Sequence, residues 1–343
     1  MQIELRTQVI EPERKTFTNL VDRFGDRPAS RYEEGSIDIQ SVANFHYRPL
    51  WSADHEIYDA DYTAFKLEDP YSFTDPRQLY YAPYVQSRAA MNEAFVKTID
   101  YVEKKDLLQK LPTGWDAVVG EVLVPLRHWE AGAELVSVEG SRWAYGTTID
   151  QCCIFAAFDR IGNAQNLSRV GIVYGEGHDG ALATAKQRWL EAAELQGLRR
   201  LVEETLAGTT GQDYAAKLLT IDLADRLVYA LMYGHLDEAA LTSGAGAYSL
   251  VAQHFSSWFA DQRRWIDKLV QTWLADPTYA ESNKAAFDGV LAARWGQVVT
   301  AVSDLAAAVD ARVDVGAAGA VSAAAAAVAA DLGALGLTVP GGN

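Results

Sequence analysis

Arg160 and Asn163 stand three residues apart in the run AFDRIGNAQNLSR, at a spacing where helical iron proteins carry Glu and His. A paired-iron centre inside a four-helix bundle takes one carboxylate from each of two helices. Each of the other two supplies a Glu-x-x-His, with all side chains turned inward. None of the histidines His46, His55, His128, His178, His235 and His254 has a carboxylate three residues before it, so the working motif is absent. Its outline persists. Glu130 lies thirty residues ahead of the Arg160-x-x-Asn163 pair, and Asp225 lies thirty-six ahead of an Asp261-x-x-Arg264 pair.

Such side chains need long helices to position them, and from about Asp75 the chain is patterned for them. DPRQLYYAPYVQSRAAMNEAFVKTIDYVEKKDLL opens with Asp75 as an expected N-cap and Pro76 at the first helical position. The next two helices are expected to close at Gly140 and Gly175, with a kink or late start at Pro125. Two further long helices flank the turn TSGAGA, and one more is expected over residues 279–313. The glycine-rich turn has no strand before it and no Lys-Ser/Thr after it, which argues against a phosphate cradle. No strand pattern or short repeat stands out, so the expected fold class is all-α, a long-helix bundle.

Residues 1–74 form a separate expected unit, rich in turn formers and aromatics without sustained helical periodicity, as in GDRPASRYEEGSIDIQSVANFHYRPLW. A disordered tail does not carry so many Tyr, Phe and Trp. The reading is an extended arm against partner chains, residues 28–51 above all, with packing on its own domain as the alternative. Residues 75–312 make the helical domain, and the Ala-rich stretch 313–343 favours helix but offers little to bury.

The chain has 343 residues, 49% of them apolar, enough for a substantial core. Its formal charge of -16 argues against nucleic acid or anionic lipid as a partner. Cys152 and Cys153 are adjacent on an expected helix and cannot pair without distortion, so they read as free thiols buried by packing. With a charged N-terminal stretch and no secretory pattern, the expected location is the cytoplasm. The Ala-rich tail is a poor membrane span. Trp258, Trp265 and Trp273 read as core or interface, and His235 with Glu238 as a local contact rather than a metal site.

RPASRYEEGSIDIQ, NFHYRPLW, DPRQLYYAPYVQSRA, LVPLRHWE, FDRIGNAQNLSR and LRRLVEE together resemble the β subunit of multicomponent soluble di-iron monooxygenases, bacterial phenol hydroxylases in particular. The resemblance spans nearly the whole chain except the stretch beyond about residue 312. It implies a ferritin-like fold and an (αβγ)2 hydroxylase whose α subunit holds the di-iron site. It also implies a reductase carrying FAD and a 2Fe-2S cluster fed by NADH, and a small effector protein. By the same resemblance this chain is a non-catalytic β subunit without catalytic, cofactor or metal residues. The degenerate ligand places are Glu130, Arg160, Asn163, Asp225, Asp261 and Arg264, with Asp222 competing for the place of Asp225. The reaction implied is insertion of one oxygen atom from O2 into an arene. Toluene or alkene monooxygenases are the alternative relatives, and the arene itself is left open.

Arginine at two former ligand places suggests a physical reading. Buried carboxylates repel one another unless protonated or neutralised. Guanidinium groups stay charged and form paired hydrogen bonds to them. Arg160 and Arg264 are therefore expected to stand among Glu130, Asp225 and Asp261 where cations stand elsewhere. Two rival readings are a catalytic iron protein with unusual ligands and a free-standing helical binding protein.

Overall fold

Runs rich in Ala and Leu, with no proline past the first turn, become the long helices of this chain, as helix propensity and a buried apolar stripe require. The computed structural model describes residues 18–37, 39, 54–55, 59–207 and 213–341. In chain order the helices are α1 (Thr18–Phe24), α2 (Arg31–Ser36), α3 (Tyr81–Lys104), α4 (Trp115–Ala117), α5 (Arg127–Trp143), α6 (Thr147–Tyr174) and α7 (Gly180–Glu191). They continue with α8 (Ala193–Ala207), α9 (Tyr214–Tyr229), α10 (Leu236–Thr242), α11 (Gly246–Leu274), α12 (Ala280–Val313) and α13 (Ala317–Ala334). No strand occurs among the described residues.

Helices α5, α6, α11 and α9 contact one another in a closed ring, with α3 against α6 and α11, and α12 against α8, α9 and α11. On α11 the buried residues Phe255, Trp258, Gln262, Trp265, Ile266 and Leu269 recur every three to four positions, which defines the face turned into the bundle. Two π-helical segments adjoin the ring. Val118–Leu123 leads through a tight turn containing Pro125 into α5, and Ala230–His235 continues α9. The extra residue of a π turn re-aims the helix that follows or precedes it.

Several expectations are corrected. Asp75 does not cap α3, which starts at Tyr81 with no side-chain cap. Its carboxylate is instead buried, accepting from the Arg77 guanidinium at 3.0 Å and from the Arg77 amide. Helix α5 runs through Gly140 and ends at Trp143, because Gly140 lies close against Cys153 of α6 and packing holds the turn in helix. Helix α6 does close at Gly175. The glycine at its start, Gly146, has φ +118, and a Cβ there would run into the Pro70 carbonyl.

The arm residues that are described pack on their own bundle. Asp213 accepts from Thr63 Oγ1 and the Ala64 amide, both at 2.7 Å, and Asp276 accepts from the Glu68 amide at 2.8 Å. Asn283, fully buried, accepts from the Lys66 amide at 2.8 Å while its Nδ2 donates to the carbonyls of Lys66 and Trp273. Phe65 sits over Trp273 with ring centroids 4.9 Å apart. The strap over residues 59–80 has only one short 3-10 turn, Pro70–Ser72, and pairs other backbone groups by borrowing side chains from the α9 N-cap, α12 and the turn before α12. Residues 38 and 40–53, which take in about half of the segment expected to touch partners, lie outside the described residues.

Long and apolar enough to cross a membrane by length and composition, α13 nevertheless buries Ala317, Val321, Val328 and Leu332 within the protein. It packs on α12, α9 and the π-helical segment after α9, and the carbonyl of Val315 just before it accepts from His235 Nε2 at 2.9 Å. The carbonyl can only accept, so His235 carries its proton on Nε2. The tail therefore has more to bury than its alanines suggested.

Replacing Asn283 by Ala leaves the Lys66 amide and carbonyl without their Asn283 partner and removes one donor from the Trp273 carbonyl. The expected cost is about 2–4 kcal/mol, read as a lower denaturant midpoint, with hydrogen exchange accelerated selectively over residues 59–80. Unchanged exchange there would contradict the strap's dependence on this one side chain.

Candidate functional site

At the centre of the bundle a single guanidinium lies between two carboxylates. Arg160, on α6, donates from NH1 to Glu130 Oε2 of α5 at 2.9 Å and from NH2 to Asp225 of α9. All three residues are at most 3% exposed. Two further donors complete the carboxylates: Tyr229 OH to Glu130 Oε1 at 2.6 Å and Trp129 Nε1 to Asp225 Oδ1 at 2.9 Å. The guanidinium carbon lies 4.7 Å from the centre of the Trp258 ring of α11, so the cation also faces an aromatic wall.

The electrostatics follow from burial. Burial works against the charge on Arg160, but Asp225 and Glu130 outweigh it and hold its pKa well above the ordinary value. Burial pushes the Asp225 carboxyl up to about 6; Arg160 pulls it down and Glu130 adds to the rise. With one cation for two carboxylates, a proton on Asp225 relieves the excess charge. Burial, then Glu130, also raise the Tyr229 hydroxyl well above its usual range, which keeps it a donor.

Four of the six expected positions lie in this buried region: Glu130, Arg160 and Asp225 in direct contact, and Asn163 one helical turn beyond Arg160 and 2% exposed. Asp225, not Asp222, takes the place on α9. The buried Asp222 is bound instead by Arg226 at 3.1 Å and by Arg263. The α11 pair is corrected. Asp261 sits at the bundle's edge, accepting from Arg88 at 2.8 Å and Arg77 at 3.4 Å. Arg264 has a side chain 55% exposed, 3.7 Å from Asp261, and donates to the Pro76 carbonyl. The reason is helix phase: with Trp258, Gln262 and Trp265 inward, position 264 is carried to the outer surface.

Sequence reasoning missed Trp129 and Tyr229. Tyr229 is four residues after Asp225 and so on the same helix face, a spacing that was available as a signal. It also missed the second charged cluster, in which Arg88 binds Asp159 through two nitrogens and Tyr84 OH donates to Asp159 at 2.9 Å. No local pattern marks those partners, which are more than seventy residues apart.

Iron does not fit this site. The guanidinium occupies the space between the two carboxylates, and it can neither ligate a cation nor tolerate one beside it. Among the described residues no group of three or more His, Cys, Asp and Glu side chains is gathered so as to hold a metal.

Arg160→Met strands two buried carboxylates and is expected to cost about 3–5 kcal/mol. Adding Glu130→Gln and Asp225→Asn should restore most of that loss, as measured by denaturant midpoints; a triple variant no more stable than the single one would refute the ion-pair account. The raised Asp225 pKa also gives a pH effect with a definite sign. Asp225 binds its proton more tightly folded than unfolded, so its stabilising contribution is present below about pH 4 and is lost as pH rises through about 6. Carbon-detected NMR of the carboxyl groups should find Asp225 titrating near 6 rather than near 4.

The comparisons with known proteins agree with this architecture. Residues 51–277 match the family model for methane/phenol/alkene hydroxylases. The chain is 40% identical over 277 residues to the phenol 2-monooxygenase oxygenase component DmpL of Pseudomonas sp. (strain CF600), covering 80% of this chain and 83% of that one. It is 38% identical to the corresponding component MhpL of Acinetobacter pittii (strain PHEA-2), covering 80% and 82%. In structure it is similar to a chain of the xenon-pressurized phenol hydroxylase of Pseudomonas sp. OX1, with TM-score 0.89, 32% identity and coverage of 98% and 100%. A toluene 4-monooxygenase chain, with TM-score 0.72, 19% identity and coverage of 88% and 99%, shares the fold. The all-α bundle is thus the ferritin-like one of di-iron hydroxylases, and the chain belongs to the methane/phenol/alkene hydroxylase family.

Proposed function

We propose that this chain is the non-catalytic β subunit of the hydroxylase component of an NADH-dependent phenol or related aromatic monooxygenase. The observation that carries the reading is the Arg160 guanidinium bound between Glu130 and Asp225, in the bundle interior where an iron-binding relative needs cations and open coordination sites. On this reading the di-iron site belongs to a partner α subunit, and one oxygen atom from O2 enters the arene there. FAD and 2Fe-2S belong to a separate reductase that takes electrons from NADH. Two copies each of α, β and γ form the hydroxylase, an effector protein docks on it, and the assembly works in the cytoplasm. The two relatives, each an oxygenase component of phenol 2-monooxygenase, support an assembly of this kind.

The chain's own contribution is then mechanical. Its bundle is rigid without metal, because the ion pairs tie α5, α6 and α9 together. Its outer face offers a place to dock: Tyr81 and Val85 on α3 and Phe158 and Ile161 on α6 are 74%, 44%, 50% and 42% exposed. Apolar side chains clustered on adjacent helices favour a protein partner over water. Arg160→Glu with Asn163→His, which would rebuild one Glu-x-x-His, should still bind no stoichiometric iron. The reason is not Arg264, which is exposed, but that α11 presents Trp258 and Gln262 to the interior and supplies no ligand.

Expressed with candidate α and γ subunits, the full-length chain should co-purify in a complex whose iron is accounted for by α, and the chain alone should be iron-free. Phe158→Glu with Ile161→Glu should weaken co-purification at least about tenfold while leaving the circular dichroism spectrum intact. Stoichiometric iron in the isolated chain, or a soluble monomer indifferent to α, would overturn the proposal.

A further inference from the structure

Next to the central ion pairs, between α3, α6 and α11, is an open-mouthed cavity of about 270 Å³. Tyr84, Phe158 and Trp258 supply aromatic wall, and Asn163, His254 and the Arg88–Asp159 ion pair supply polar wall. Two of these residues, Asn163 and Trp258, are each 2% exposed and carry a buried donor, Nδ2 and Nε1, with no hydrogen-bond partner. Behind them Arg160 Nε is a third buried donor without one. Buried donors left unpaired are costly, and a set of donors alone requires an acceptor. His254 does not fill that need: its Nε2 faces the Asn166 amide at 2.9 Å, and burial depresses its pKa to about 4, so the ring is neutral.

We infer that this cavity is a binding site for a small neutral ring bearing a hydroxyl or carbonyl oxygen, with the oxygen accepting from Trp258 Nε1 and Asn163 Nδ2 and the ring against the aromatic wall. Charge selects neutrality. Asp159 lines the cavity already paired with Arg88, and the adjoining Glu130, Arg160 and Asp225 sum to one negative charge when ionised, so the surroundings carry no net positive charge to hold an anion. A cation finds the one lining carboxylate, Asp159, already bound by Arg88. Size selects a single ring, since a cavity of about 150 Å³ suffices for benzene and this one is larger but well short of a two-domain cleft. The inference stands on the cavity alone and does not depend on the chain's role as a subunit.

The test uses the full-length chain with phenol as the probe and benzoate and benzene as controls, by saturation-transfer NMR and titration calorimetry. Phenol should bind saturably to one site with Kd about 1 mM or tighter, benzoate at least about tenfold more weakly because of its charge, and benzene more weakly because it lacks the oxygen. Trp258→Phe and Asn163→Leu should each weaken phenol about three- to tenfold. Gly162 lines the cavity and a Cβ there meets nothing within 4 Å, so Gly162→Leu should fill the space, keep the helix and abolish binding. Unchanged phenol affinity in a folded Gly162→Leu chain, no saturable binding up to about 10 mM, or a crystal soaked in phenol that shows only water on Trp258 and Asn163 would overturn the inference.

Discussion

The bundle is organised around one buried cation shared by two buried anions. Removing a guanidinium and two carboxylates from water is expensive, and the attraction among them offsets that only when geometry and extra hydrogen bonds are good. Both conditions hold here. Arg160 reaches Glu130 and Asp225 from a third helix, Tyr229 and Trp129 take up the remaining carboxylate oxygens, and the Trp258 ring covers the guanidinium face. Because the partners come from α5, α6, α9 and α11, the cluster fixes helix rotation and axial register as well as spacing. A purely apolar core would tolerate sliding by a fraction of a turn far more easily.

Charge is also distributed in depth. The central cluster is enclosed, while Arg88, Asp159, Asp261, Arg77 and Asp75 form a second one nearer the surface, where the Asp261 side chain keeps 23% exposure. This outer cluster ties the strap ahead of α3 to the bundle, since Asp75 and Arg77 belong to the strap and Asp159 and Asp261 to α6 and α11. A third cluster on α9 and α11 joins the buried Asp222 to Arg226 and Arg263; burial raises its pKa, but the two guanidinium groups more than reverse that and hold it below the usual carboxylate range. Arginine thus binds Asp75, Glu130, Asp159, Asp222 and Asp225 out of water, which is what its permanent charge and forked donors suit, while the buried Asp276 takes backbone amides instead.

Legibility of the sequence followed the range of the interactions. Helix identity along α3, α6, α9 and α11 could be read because apolar periodicity is local, and Glu130 and Arg160 could be read from their spacing across α5 and α6, whereas α9 is buried nearly all round, so Asp225 is told from Asp222 only in three dimensions. Asp261 and Arg264 were misplaced because α11 carries polar and apolar residues at both candidate phases; only three-dimensional packing of Trp258, Gln262 and Trp265 settles which faces in. Asp75 before Pro76 has the form of a helix start, yet the buried pairing with Arg77 outweighs a cap. The strap over 59–80 was opaque for the opposite reason: Asp213, Asp276 and Asn283, which hold it, lie 149 to 217 residues further along.

The same placement of charge explains why the unpaired donors sit where they do. Arg160 uses both terminal nitrogens on carboxylates from α5 and α9, so its Nε is left on the remaining side, toward α6 and α11. The residues next to it there, Asn163 one turn along α6 and Trp258 across on α11, are committed by packing: the Trp258 ring faces the guanidinium, which leaves its indole N–H at the ring edge rather than on a partner. An acceptor side chain at either place would bring a further negative charge or a competing partner to Arg160 and loosen its grip on Glu130 or Asp225. The central carboxylates are thus fully satisfied, and the donors left over beside them, Asn163 Nδ2 and Trp258 Nε1, belong to residues that border the cavity.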